Sequence, residues 1–156
     1  MSKVINKAID DNFSDPNIKI ISEPGQFFST SCMTLIVNVH SKAIKLNENG
    51  EEVYNYYITD GIYQSFAMKG SGGKNPNPLL IKTLRDTTGM SLKKSVIWGR
   101  TCDPNDQVES EILLPELECG DWLVLENFGS YRITTSSPFN GFTQHPSFNY
   151  IERDIW

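Results

Sequence analysis

The sequence is poor in the residues that build disulfide frameworks, metal sites and membrane spans. Its 156 residues include only 3 cysteines, an odd number, and 2 histidines. Cys32, Cys102 and Cys119 lack the spacing of metal ligands, so a zinc site is not expected. No run approaches the roughly 18 apolar residues that a membrane-spanning helix needs, and the amino terminus lacks the apolar core of a signal peptide. We therefore expect a cytoplasmic protein.

Positive charge is scarce as well. The chain has 14 Lys and Arg residues against 19 Asp and Glu residues, a net charge of −5, and its longest basic run is Lys93-Lys94. Surfaces for nucleic acids and anionic membranes depend on clustered cations. We therefore expect neither nucleic acid nor membrane as a partner. The length suits one ordinary domain with a sizeable core.

The first 30 residues have the pattern of a single αβ unit. Apolar residues at helical spacing predict a helix over the first dozen residues, and the polar turn at 14–17 ends it. Residues 18–22 then predict a short strand that leads into Glu23-Pro24-Gly25. A carboxylate at the tip of such a strand is a typical functional position in parallel sheets and barrels. Because one αβ unit cannot close a sheet, this region is expected to be part of something larger or to dock elsewhere.

From residue 31 onward the pattern changes to short β-strands separated by turn residues, which predicts a sandwich or barrel. The predicted strands cover residues 34–46, 51–59, 95–98, 108–114, 122–126, 131–135 and 148–151. Asn47 to Gly50 carries a hairpin signal. Residues 62–68 are predicted as a further strand or sheet edge, and residues 69–78 as an exposed, mobile loop. For residues 79–84 we expect a short amphipathic segment with one or two helical turns.

The turn from Trp98 to Asp103 places a thiol and a carboxylate side by side between two predicted strands. Reactive groups on a loop that a rigid sheet holds are a common functional arrangement. The turn alone favours the plainer interpretation, in which Cys102 is a small core residue and Asp103 an ordinary turn residue. Together with Glu23, Asp60 and Asp106, Asp103 belongs to a set of acids at turns that could bind a cationic ligand. The spacing alone leaves these alternatives open.

Seven stretches match one family in its order along the chain. They are IISEPG (20–25), YYITDGIYQSF (56–66), WGRTCD (98–103), LPEL (114–117), GDW (120–122), ENFGSY (126–131) and FNGF (139–142). Together they closely resemble the C-terminal part of eukaryotic-type ornithine decarboxylases, which are pyridoxal-phosphate enzymes of polyamine synthesis. Seven motifs in order are far more specific than any one of them.

This resemblance implies a mostly β fold with two regions. Residues 1–35 would be the last αβ unit of a (β/α)8 barrel that binds pyridoxal phosphate, which accounts for the isolated αβ pattern. Residues 36–156 would form the C-terminal β-sandwich or barrel domain of the alanine racemase-like decarboxylases. The family forms head-to-tail homodimers, in which the cysteine turn of one subunit reaches into the barrel of the other.

The resemblance also implies roles for the substrate side of the site. Asp60, from the subunit whose barrel is used, and Asp103, from the opposite subunit, would hold the distal ammonium of L-ornithine. Cys102 would control protonation after loss of CO2, and Phe139 would line the pocket across the interface. An aspartate after the cysteine is similar to the ornithine type, whereas diaminopimelate decarboxylases have Glu-Ser there. The implied reaction is conversion of L-ornithine to putrescine and CO2.

On the cofactor side, Glu23 would pair with the pyridine nitrogen and Tyr131 would hydrogen-bond the phosphate. The chain departs from the family in three respects. Gln26 stands where an arginine usually binds the phosphate, and Arg100 replaces the usual proline before the cysteine. The family's barrel lysine motif and glycine-rich phosphate loop are missing, so we expect the chain alone to be inactive and to need a barrel-bearing chain.

Three alternatives remain beside an enzyme lineage. Antizyme inhibitors, non-catalytic relatives, also lose the arginine after Glu-Pro-Gly, although they generally lose the tyrosine that Tyr131 matches here. A degenerate copy of the enzyme is a second alternative. A free-standing β binding module is a third, but it would leave Glu23 and its flanks unexplained. The expected function is therefore that of the C-terminal part of an ornithine decarboxylase, with an antizyme-inhibitor-like regulator as the main alternative.

Overall fold

A computed structural model describes residues 2–67 and 81–150 of the chain. Two α-helices precede the sheet, and they are α1 (Ser2–Asn12) and α2 (Gly25–Ser29). Six strands follow: β1 (Leu35–Leu46), β2 (Glu52–Ile58), β3 (Ile81–Thr83), β4 (Leu92–Trp98), β5 (Gln107–Pro115) and β6 (Trp122–Leu125). None of the helices in these two ranges is long and apolar enough to cross a bilayer.

The six strands form one curved sheet in the order β3-β6-β1-β2-β4-β5, as in a half-barrel. Strand β1 is the longest and joins the two halves, because its first part pairs with β6 and its second part with β2. The register shifts between Val39 and Ser41, and such an irregularity bends a strand. All pairings are antiparallel except that of β2 with β4, which is parallel. The predicted mostly β fold class is therefore confirmed.

The hydrophobic core is built mainly on the strands of the sheet. Its largest fully buried side chains are Tyr56, Phe66, Ile58, Ile97, Leu117, Leu123 and Leu125. The phenol oxygen of Tyr56 accepts the backbone N–H of Leu117 at 3.0 Å, so this buried polar group is satisfied. By contrast, α1 and α2 contribute no buried residue. The core belongs to the sheet, and the amino-terminal region lies outside it.

Several predicted elements are confirmed. The first helix ends at Asn12, as expected. The bounds of β1, β2, β5 and β6 lie within one residue of the predicted bounds. Strand β4 begins three residues before its predicted start and ends where predicted. The predicted hairpin between β1 and β2 is also confirmed. The side-chain oxygen of Asn47 accepts the N–H groups of Asn49 and Glu51 at 3.0 and 2.9 Å, which closes the turn between β1 and β2.

Other predictions are wrong, and the hydrogen bonding of each segment gives the reason. Residues 18–22 form no strand, because no strand of the described residues pairs with their backbone. Residues 62–66 form turns instead of a strand, since the N–H groups of Gln64 and Phe66 both donate to the carbonyl of Gly61. Residues 81–83 are strand β3 rather than helix, because they pair with the exposed edge of β6.

The carboxyl-terminal region also departs from the prediction. Tyr131 has a left-handed backbone with φ of 52°, which reverses the chain and is followed by a 3-10 turn at Ile133–Thr135 instead of a strand. Residues 148–150 pair with no strand of the described chain. Residue 151, the predicted loop at 69–78, Met68 and residues 79–80 lie outside the described residues.

Candidate active-site corner

Two turns meet at one edge of the sheet because β2 and β4 are parallel. Tyr57 of β2 lies opposite Trp98 of β4 in the register, so both strands end at the same edge. The turn after β2 begins with Asp60, and the turn after β4 carries Cys102 and Asp103. The parallel pairing therefore brings three predicted site residues to one corner.

Asp60 is fully buried and already well bonded within its own turn. Its Oδ1 accepts the N–H groups of Gly61 at 2.6 Å and of Ser65 at 3.0 Å. Its Oδ2 accepts the hydroxyl of Ser65 at 2.6 Å, and Nε2 of His145 lies 3.6 Å from the same oxygen. These donors compensate the burial of the charge. A cation that binds Asp60 must therefore compete with bonds that the chain itself makes.

Asp103 faces the Asp60 turn. Tyr63 donates its phenol hydrogen to Oδ2 of Asp103, and the N–H of Asn105 donates to Oδ1 at 2.8 Å. The bond from Tyr63 is the main cause that holds the pKa of Asp103 below its usual range. The same bond raises the pKa of Tyr63 to about 12. Both shifts agree that the ionised carboxylate and the neutral phenol form the stable pair.

Cys102 is exposed at the tip of its turn, and the chain's two other cysteines are exposed and free as well. The side-chain amide of Asn140 donates to its Sγ at 3.4 Å. Phe139, one residue earlier, stacks on Tyr63 with ring centroids 4.1 Å apart. The segment after β6 therefore returns over both turns, and it brings the predicted Phe139 to the same corner as the thiol.

Arg100 lies inside the corner rather than in solvent. Its Nε donates to Oε1 of Gln64 at 3.0 Å and its Nη2 donates to the carbonyl of Thr143 at 2.8 Å. Burial is the main cause that lowers its pKa, against the opposing effect of Asp60 and Asp106. Within the described chain, Nε2 of the buried Gln64 has no hydrogen-bond partner. A positive charge thus already lies near Asp60, one of the two carboxylates of the predicted ammonium site.

The predicted cofactor residues form a second group beside α2. The hydroxyl of Ser130 contacts the hydroxyls of Ser29 and Thr30 at 2.7 and 3.1 Å and donates to the carbonyl of Gln26 at 3.2 Å. These bonds hold the residue before Tyr131 against α2. The side chain of Tyr131 is 58% exposed, and Glu23 is exposed just before the helix.

The structure therefore sorts the predicted site residues into two groups. Asp60, Cys102, Asp103 and Phe139 share the corner, whereas Glu23, Gln26 and Tyr131 belong to the region around α2. Sequence reasoning missed the parts played by Tyr63, Asn140 and His145. Tyr63 could have been found, because it lies three residues after Asp60 in the same turn, but no local signal points to His145.

Residues 4–129 match the family model of the pyridoxal-dependent decarboxylases, C-terminal sheet domain. The chain belongs to this family. It is 37% identical over its whole length to the ornithine decarboxylase of Cricetulus griseus, of which it covers 35%. It is 38% identical over 98% of its length to antizyme inhibitor 2 of Xenopus laevis, again covering 35% of the relative. This decarboxylase sheet domain thus spans about a third of the curated relatives it matches.

Solved structures agree with this assignment. The arginine decarboxylase of Paramecium bursaria Chlorella virus, bound to agmatine, superposes on 92% of the chain with a TM-score of 0.72 and 30% identity, and 38% of that chain is covered. The lysine/ornithine decarboxylase of Vibrio vulnificus, complexed with cadaverine, superposes on 94% of the chain with a TM-score of 0.70 and 30% identity, and 37% of that chain is covered.

The cofactor that the family name implies fits this sheet domain in part. Glu23 and Tyr131 offer an exposed carboxylate and an exposed phenol, which suit a protonated pyridine nitrogen and a phosphate oxygen. A phosphate dianion also calls for cationic or N–H donors, and Gln26 supplies no charge. These residues therefore supply only part of the donor set that pyridoxal phosphate needs.

The Tyr63–Asp103 bond predicts a stability difference that depends on pH. Tyr63→Phe should be less stable than the wild type between about pH 4 and 10, the usual pKa values of the two groups. Above pH 10 the difference should shrink, because the raised pKa of Tyr63 means that its stabilisation is lost as pH rises to about 12. Below pH 4 it should shrink as pH falls through the lowered pKa of Asp103.

Urea unfolding at pH 3, 7 and 11 measures this difference. Tyr131→Phe is the matched control, because its phenol is 58% exposed, and it should match the wild type at all three pH values. A Tyr63→Phe deficit that is the same at pH 3, 7 and 11 would show that the bond to the carboxylate does not cause it.

Proposed function

We propose that this chain is the sheet domain of an ornithine-decarboxylase-type enzyme and that it works together with a (β/α)8 barrel carrying pyridoxal phosphate. The enzyme would convert L-ornithine to putrescine and CO2. One observation carries the proposal: Asp60, Cys102, Asp103 and Phe139 gather at one corner of a chain 37% identical to an ornithine decarboxylase throughout its length.

In this proposal the corners of two subunits together bind and orient the substrate. Asp60 and Asp103 would hold the distal ammonium, and two carboxylates on one cation suit a dibasic amino acid. Phe139 would exclude water from the methylene chain. Cys102 would hold the proton that is delivered to the reacting carbon. In a head-to-tail dimer, Asp60 of one subunit and the Cys102 turn of the other would face the same substrate.

The region around α2 would hold the cofactor. Glu23 would accept a hydrogen bond from the pyridine nitrogen, and the phenol of Tyr131 would donate to the phosphate. Pyridoxal phosphate, when bound, supplies the electron sink that decarboxylation needs. The lysine and the phosphate-binding loop would come from the barrel.

The uncovered amino-terminal region supports the need for a barrel. Phe27 and Phe28 are 73% and 70% exposed. Their rings contact each other edge to face, with centroids 5.2 Å apart. Ile21, six residues earlier, is 71% exposed. Adjacent large apolar side chains in the open mark an interaction surface. Residues 18–22 also pair with no strand of the described chain, and a neighbouring parallel strand of a barrel would bond their backbone groups.

The test is to mix the chain with a barrel-only chain of the Cricetulus griseus ornithine decarboxylase. We expect the two to co-elute and, with pyridoxal phosphate, to release CO2 from L-ornithine. Phe27→Ser should weaken their association at least about tenfold, the cost of losing one buried aromatic contact. Phe148→Ser, at a position 86% exposed, is the control and should bind as the wild type does.

The outcomes separate the enzyme from its main alternative. Loss of turnover in Cys102→Ala with unchanged association would support the enzyme. Association without turnover would favour a non-catalytic regulator of the antizyme-inhibitor kind, which would then be tested by binding to antizyme. Two observations favour that second candidate: Gln26 is neutral, and Arg100 is held by Gln64 inside the corner, near Asp60. Absence of any association would overturn both.

A further inference from the structure

Asp106 is a buried carboxylate to which the proposed function gives no task. Only 1% of it is exposed, and burying a charge is costly unless hydrogen bonds compensate it. Its Oδ1 accepts the N–H of Ile62 at 2.9 Å. Its Oδ2 accepts the N–H and the hydroxyl of Thr101 at 3.0 and 2.7 Å. Each oxygen therefore serves a different turn.

The two turns approach this carboxylate with their backbones. An ideal Cβ at Gly61 or at Gly99 would overlap the carboxylate atoms of Asp106. The N–H of Gly99 also donates to the carbonyl of Asp106 at 2.7 Å. Only glycine allows a backbone to come this close to a neighbouring group. The carboxylate thus fills the narrow space between the two turns and leaves no room for a side chain on either side.

We infer that Asp106 is a positioning residue that locks the turn carrying Asp60 to the turn carrying Cys102 and Asp103. One oxygen holds a peptide N–H two residues after Asp60, and the other holds the N–H directly before Cys102. The functional meaning rests on the proposed function. In the proposed head-to-tail dimer the two turns serve different active sites, so one carboxylate fixes parts of both.

Asp106→Asn in the full chain, without any barrel partner, tests this role. Asparagine keeps the volume of the side chain but replaces one accepting oxygen by NH2, so it can serve only one of the two turns. We expect amide hydrogen exchange at Ile62 or Thr101 to become about tenfold faster. Alkylation of Cys102 by iodoacetamide should rise at least about fivefold relative to the other two thiols, because its turn opens locally.

Asp121→Asn is the matched control. Asp121 also accepts several hydrogen bonds, from Arg85 and from the N–H of Glu118, but it lies in the turn that holds Cys119. Its substitution should therefore speed alkylation of Cys119 and leave Cys102 unchanged.

Two results would overturn the positioning role. One is an equal rise at all three thiols in Asp106→Asn, which would indicate a general loss of stability. The other is unchanged exchange at both amides. Because these measurements use the chain alone, they stand whether or not a barrel binds, and failure of the barrel experiment would not change them.

Discussion

Gly99→Ala is expected to lower the free energy of unfolding by at least about 3 kcal/mol. The new Cβ would overlap the carboxylate of Asp106. That carboxylate cannot easily retreat, because three hydrogen bonds from Ile62 and Thr101 hold it. Either the turn moves and these bonds break, or the carboxylate moves and loses its donors in a buried place. Both routes leave a buried charge poorly compensated.

Urea denaturation at pH 7 measures the effect, and Gly25→Ala is the matched control. No atom lies within 4 Å of an ideal Cβ at Gly25, and this residue is exposed. Its substitution should change the unfolding free energy by no more than about 1 kcal/mol. A Gly99→Ala chain as stable as the Gly25→Ala chain would show that the carboxylate is free to move, which would contradict the geometry of the corner.

Much of the sheet could be predicted because its signals are local. The hairpin between β1 and β2 depends on Asn47, whose side chain bonds the backbone two and four residues later. Strands β4 and β5 could likewise be predicted from the apolar runs in their own segments. The strand predicted at 62–68 failed for the opposite reason. The carboxylate of Asp60 and the carbonyl of Gly61 capture backbone N–H groups there, and such bonds compete with a sheet.

The assembly of the site depended on information that no local pattern contains. Asp60 and Cys102 are 42 positions apart in the chain, and they meet because β2 and β4 pair in parallel. Periodicity predicts both strands but not their pairing. The resemblance to a family supplied the missing step, since it assigned Asp60 to substrate binding and Cys102 to catalysis at one site that two subunits build. It could not reveal the partners that this chain provides itself, such as Tyr63 for Asp103.

The charge of Arg100 illustrates the same limit. From the sequence it is a cation next to residues that are expected to bind a cation. In the structure its guanidinium donates hydrogen bonds to Gln64 and to the carbonyl of Thr143. The guanidinium carbon Cζ lies 4.4 Å from the ring centroid of Phe142. These contacts fix the arginine inside the corner, so a substrate ammonium would meet a charge distribution that differs from one with proline at this position.

Gly129→Ala is also expected to lower the free energy of unfolding by at least about 3 kcal/mol. This glycine lies at the junction between the amino-terminal region and the sheet. An ideal Cβ at Gly129 would overlap the carbonyl of Ser29. The N–H of Gly129 donates to the carbonyl of Thr30 at 2.9 Å, and the N–H of Phe128 donates to that of Met33 at 2.9 Å. A methyl group here must push the two segments apart and break this ladder.

The separation should be visible at one thiol as well as in urea denaturation. Cys32 donates its S–H to the carbonyl of Ser29 at 2.8 Å, and its sulfur lies 2.8 Å from the Cβ position of Gly129, so its alkylation should accelerate in the variant while that of Cys119 does not. In the proposed enzyme the same separation would part Glu23 from Tyr131, so it should also weaken binding of pyridoxal phosphate. Unchanged reactivity of Cys32 would mean that the loop after β6 does not hold the helix region against the sheet.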